Sequence, residues 1–349
     1  MRAKQRTFWS GWIAILLIPS LVGAGEAQNA FEEGVKYQRA GKFKQAVSAY
    51  DRAIKAAPKN AEAHLGRGSA LAKLGQMERA IKDYNEAIRL NHDLVDAYYK
   101  RGDAHNAAKQ YQLAIKDYDE ALRRDPKLPE VYHNRGLAYY KLGQYDNAIK
   151  NFDEALRQDS KLTAARTGRG NAHFAQRQYE RAIKDYDEVI KQTPKSAKAY
   201  YQRGEAYAGL GRFERAIEDF NQAQKLNPKD AETYSSRGLA ERRLGKHELA
   251  VKDYSEAIKL NPKNAEAYNN RANAYSLLGK FEEALRDYEE AVKLDPKNPH
   301  IYANRGVIKL RQGKTDEAQK DFKQASELDP SLKQKLETLM SEKAPPEKR

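Results

Sequence analysis

Seven histidines, 49 acidic residues and no cysteine set what chemistry this chain of 349 residues can carry. Without thiols there is no thiolate nucleophile, disulfide, zinc–cysteine site or iron–sulfur cluster. Metal ligation or general-base work would need His64, His92, His105, His133, His173, His247 and His300 to converge with carboxylates. No two of these histidines lie within four residues of each other. His105 and His173 share one place in a recurring pattern where tyrosine is the commoner residue, so they read as packing groups. No glycine-rich phosphate loop, G-x-S-x-G or H-E-x-x-H motif is present. The expectation is a chain with no catalytic activity, metal, cofactor or small-molecule substrate.

The arginines are better placed. Arg67, Arg101, Arg135, Arg169, Arg203, Arg237, Arg271 and Arg305 recur every 34 residues. Sixteen residues after most of them stands an acid: Asp83, Asp117, Asp185, Asp219, Asp253, Asp287 and Asp321. Asn151 takes the acid's place after Arg135, which is therefore expected to lack its usual partner. A guanidinium fork suits an Arg–Asp pair within or between repeats. The competing reading is a ladder of arginines facing an acidic ligand. Recurrence of the arginine even in end blocks favours the pair.

The elements that must position these groups come in nine ungapped blocks of 34 residues, beginning at 27, 61, 95, 129, 163, 197, 231, 265 and 299 and closing at Leu332. Position 20 is alanine in every block and position 24 is Tyr or Phe. Position eight is glycine except at Ala272, so two antiparallel helices can approach while the position-24 ring fills the space between them. Position 15 is a glycine that can adopt the left-handed conformation ending a helix, replaced only by Lys109 and Arg177. Proline at position 32 of most blocks ends the second helix. One such hairpin cannot bury its own apolar face, whereas stacked neighbours can.

The pattern Tyr132, Gly136, Tyr139, Tyr145, Ala148, Phe152, Ala155, with Pro126 one block earlier, resembles the tetratricopeptide repeat family. The resemblance covers residues 27–332. It implies an all-α, right-handed superhelical solenoid of nine helix pairs, with the first helix of each pair lining a concave groove. Residues 333–343 carry Leu336, Leu339 and Met340 at helical spacing and read as a capping helix, and 344–349 as a disordered tail. Residues 1–26 order a basic start, an apolar run and small residues as a secretory signal does. Export to the periplasm or beyond is expected, the alternative being an uncleaved N-terminal membrane anchor.

By that resemblance, positions 2, 5, 6, 9, 12 and 13 face the groove. Their charges cancel over the nine blocks, while the chain without its leader carries 60 basic against 48 acidic residues. A nucleic-acid groove would concentrate positive charge where the phosphates lie, so nucleic acid is not the expected ligand. The family's clamp for chaperone C-termini needs lysine at position five, and no block has it. The groove offers rings and amides instead: Tyr99, Asn106, His133, Asn134, Tyr140, Asn171, Phe174 and Tyr201, with Asn270 and Asn304 further on. Amides pair with a peptide backbone and rings supply contact area. Arg242 and Arg243, beside an unusual Glu241, suggest a local contact for an acidic group. The expected function is a scaffold binding an extended segment of another protein. The alternative is a basic outer surface adhering to anionic polymers of the cell envelope or to nucleic acid.

Overall fold

The structure, a computed structural model, describes residues 18–343. All of its regular elements are helices. They divide into two compact units, one ending at Ala172 and one beginning at His173.

The first unit pairs α1 (Ile18–Arg39) with α2 (Phe43–Ala56), α3 (Ala61–Lys73) with α4 (Met77–Leu90), α5 (Val95–Ala107) with α6 (Tyr111–Arg124), and α7 (Pro129–Lys141) with α8 (Tyr145–Gln158). The unit boundary falls near the end of α9 (Thr163–Ala175). After the end of α9 the second unit holds α10 (Tyr179–Gln192), then pairs α11 (Ala197–Gly209) with α12 (Phe213–Leu226) and α13 (Ala231–Arg243) with α14 (His247–Leu260). It continues with α15 (Ala265–Leu277) against α16 (Phe281–Leu294) and α17 (Pro299–Arg311) against α18 (Thr315–Leu328), and closes with α19 (Lys333–Lys343). Within each unit the second helix of a pair also packs on the first helix of the next.

The repeat positions explain these elements. Phe152 lies between two glycines: a Cβ on Gly136 would meet its ring at 2.8 Å, and one on Gly168 at 2.6 Å. Only bare backbone admits a ring so close on both sides. First helices start on side-chain caps such as Asn60, whose carboxamide accepts the Ala63 N–H, and Ser196, which does the same for Ala199. They stop at position 15, where Lys109 and Arg177 hold φ of 60° and 59°, as the glycines elsewhere do. The cores are thin layers of alanine and aromatic side chains, such as Ala114, Tyr118, Ala121 and Val131 in the first unit and Ala284, Tyr288, Ala291 and Ile301 in the second. At the C-terminal end Leu336 of α19 covers Phe322 and Ala325.

Most of the expected leader, residues 1–17, lies outside the described residues, as does the tail at 344–349. From Ile18, α1 runs unbroken through Glu26 into the first repeat. None of the described helices is long and apolar enough to cross a membrane.

Candidate functional site

The recurrent arginines turn out to be joints. Arg203 donates from Nε and Nη2 to Asp219 of its own repeat at 2.8 and 2.6 Å, and from Nη1 to Asp187 of the preceding repeat at 2.6 Å. Arg67 does the same with Asp83 and Asp51. Arg101 and Arg237 hold Asp117 and Asp253, and reach back to Asn85 and Asn221. The hydrogen bonds to these carboxylates push the Arg67 and Arg203 guanidinium pKa values further up. Tyrosine rings at position four, such as Tyr132 and Tyr234, lie about 5.3 and 5.5 Å from the same guanidiniums. Arg135 lacks its usual acid, as expected, but not its place in the joint. It donates to Asn151 at 2.7 Å and forms an ion pair with Asp119 of the repeat before.

The rings expected in the groove lie on the first-helix face of each unit, half-buried, each with one side on the core. In the first unit Tyr99 packs on Tyr118, His133 on Phe152 and Tyr140 on Tyr145, with centroids 6.3, 5.7 and 5.5 Å apart. In the second, Phe174 packs on Tyr179 at 5.4 Å and Tyr201 on Phe220 at 5.9 Å. Burial lowers the His133 pKa, which keeps the ring neutral at pH 7.

Two of the amides, Asn134 and Asn304, are already engaged. The Asn134 carboxamide donates to Asp103 at 2.9 Å and to the Tyr99 hydroxyl at 3.3 Å, both in the preceding repeat. Asp103 also accepts from the Tyr118 hydroxyl at 2.9 Å, and burial raises its pKa. The sequence reading missed Asp103, although it stands at groove position nine. The second unit repeats this theme with other residues: Ser236 sits 3.5 Å from the Tyr201 hydroxyl and hydrogen-bonds Glu205, whose pKa burial also raises. Asn304 donates to Asn269 at 3.1 Å. Asn106 and Asn171 are half-buried on α5 and α9.

Two cavities open on these faces. One in the first unit, of about 440 Å³, is lined by Ser69, Lys73, Tyr84, Lys100 and Asp103 among others. One in the second unit, of about 310 Å³, brings Tyr201 and Asn270 together with Glu232, Glu266, Ser235, Ser236 and Leu239. Arg243 is exposed, while Arg242 is half-buried and within reach of the Tyr254 hydroxyl.

Family profiles described as tetratricopeptide repeat match residues 31–94, 129–162, 167–231, 265–298 and 287–320, and one described as TPR repeat matches 102–143 and 238–279. Three solved structures share the fold. The C-terminal part of a TPR repeat-containing protein from Cytophaga hutchinsonii is 21% identical, with a TM-score of 0.57 over 68% of this chain and 97% of that one. A tetratricopeptide repeat protein from Parabacteroides merdae is 20% identical, with a TM-score of 0.54 over 72% of this chain and 99% of that one. The APC/C hetero-tetramer Cut9–Hcn1 is 13% identical, with a TM-score of 0.56 over 91% and 76%. No curated protein matches the chain.

Proposed function

The chain belongs to the tetratricopeptide repeat family, and from that premise we propose that it is a non-catalytic scaffold holding an extended segment of another protein along its first helices. The observation that carries this reading is the make-up of the first-helix faces. Half-buried rings stand next to fixed acceptors, Tyr99 near Asp103 in one unit, Tyr201 near Glu205 in the other. The rings offer contact area at low entropic cost, because packing already fixes their rotamers. The carboxylates, held by a neighbouring repeat, are positioned to accept backbone N–H groups of an extended chain.

The basic start and apolar run of residues 1–26 support export of this scaffold, and we place its partner in the cell envelope. Affinity capture from the envelope fraction tests the reading, with Tyr140→Ala and Phe174→Ala proteins of unchanged helicity as controls. A protein retained by the native chain and lost from both variants is the expected result. Equal retention by all three would contradict it.

A further inference from the structure

The cavity in the second unit lies beside one of the five repeats that lack a ring at position five. At position five, four repeats lay a ring on the position-24 aromatic: Phe31 on Tyr50, Tyr99 on Tyr118, His133 on Phe152 and Tyr201 on Phe220. The repeat of α13 has Ser235 there and Ser236 beside it. The space alongside is the cavity of about 310 Å³, and the buried Ser235 Oγ has no hydrogen-bond partner. Leu239, 38% exposed, and the Tyr201 ring give it apolar walls.

Glu232 and Glu266 also line it, both exposed and neither in an ion pair among the described residues. Acids recur at this position, as Glu62 and Glu130 do, because the first turn of a helix favours them. Here two of them overlook a space that a side chain can enter, and no lysine or arginine lines it.

We propose that this cavity takes the side chain of a lysine or arginine from an extended partner segment. Its aliphatic stem lies along Leu239 and Tyr201, and its charged head meets Glu232, Glu266 and the Asn270 carboxamide oxygen. Long basic side chains combine such a stem with such a head, and charge-assisted hydrogen bonds to carboxylates are the strong ones. The chain as a whole carries a net charge of +14, so long-range attraction favours anionic partners and the selectivity for a cation is local. This inference rests on the scaffold reading and names the chemistry at one point of the partner.

The test titrates three capped pentapeptides, Gly-Ser-X-Gly-Ser with X as arginine, glutamate or leucine, into the isotope-labelled full chain and follows the Leu239 methyl and Asn270 carboxamide resonances. The arginine peptide is expected to shift both saturably, with affinity falling about tenfold in the Glu232→Gln/Glu266→Gln double variant. Ser235→Tyr, which restores the ring four other repeats hold, is expected to abolish the shifts. Equal shifts from the glutamate or leucine peptide, or an unchanged affinity in either variant, overturn the cationic assignment but leave the scaffold reading standing. No saturable shift from any peptide removes this cavity from both.

Discussion

Arg203 stands midway between its partners, with Asp187 sixteen residues before it and Asp219 sixteen after. The later partner is legible because it is almost always aspartate. The earlier one varies among Asp51, Asn85, Asp119, Asn221 and Ser255, which share only an acceptor oxygen, so composition hides it. Asp219 is buried and Asp187 only half-buried, so the two halves of the joint differ in weight. Arg203→Ala should cost about 3 kcal/mol by leaving a buried carboxylate unpaired, and Asp187→Ala less than about 1 kcal/mol. Urea unfolding of both variants measures the difference.

Glu241 reverses this logic. It is 7% exposed, its Oε2 has no partner, and it sits beside Asp253, which Arg237 already holds at 2.6 and 2.7 Å. In the last repeat Lys309 takes that place and meets Asp321 at 3.0 Å. Burial first, then the Asp253 charge, pushes the Glu241 carboxyl up to about 7, while Arg237 and Lys246 pull the other way. The folded state thus binds this proton more tightly than the unfolded one. Its contribution is complete below the ordinary glutamate range and is lost as pH rises to about 7, a change of about 3 kcal/mol. Hydrogen exchange in α13 and α14 should therefore quicken from about pH 5.5 to 7.5 beyond its intrinsic pH dependence, and Glu241→Gln should flatten that excess. An excess that the substitution leaves unaltered would exclude the carboxyl as its source.

At the scale of elements, the helices follow from the repeat positions almost without remainder. Alanine, aromatic and glycine positions fix two helices per block, and the stop at position 15 holds even where the residue is wrong for it. Lys109 and Arg177 carry a Cβ in the left-handed region. Replacing either with glycine should raise stability by about 1 kcal/mol, because the strain is removed from the folded chain. A thermal melt of Lys109→Gly reads this directly, and an unchanged or lower midpoint would contradict it. The start of α1 was less legible. The helix runs from Ile18 through Gly23 and Gly25 into the first repeat, so the small residues that close the apolar run in the sequence do not end it.

For the whole molecule, the family and the helix pairing were readable from one shift of 34 residues, because each layer repeats the same packing problem. What the first-helix faces offer a partner was not readable. Asn134 looked like a free amide, yet it is spent on Asp103 and Tyr99, 31 and 35 residues away in sequence. Such bonds depend on how consecutive repeats meet in space, and residue types at a fixed position do not report that. The scaffold account nevertheless places binding on these faces and not on the basic residues outside them. The direct test measures affinity for the captured partner at low and high salt in the native chain, Tyr140→Ala and Phe174→Ala. The account predicts a roughly tenfold loss in each variant and a shallow dependence on salt. Binding that falls steeply with salt and ignores both substitutions would contradict it and assign the partner to the basic outer surface.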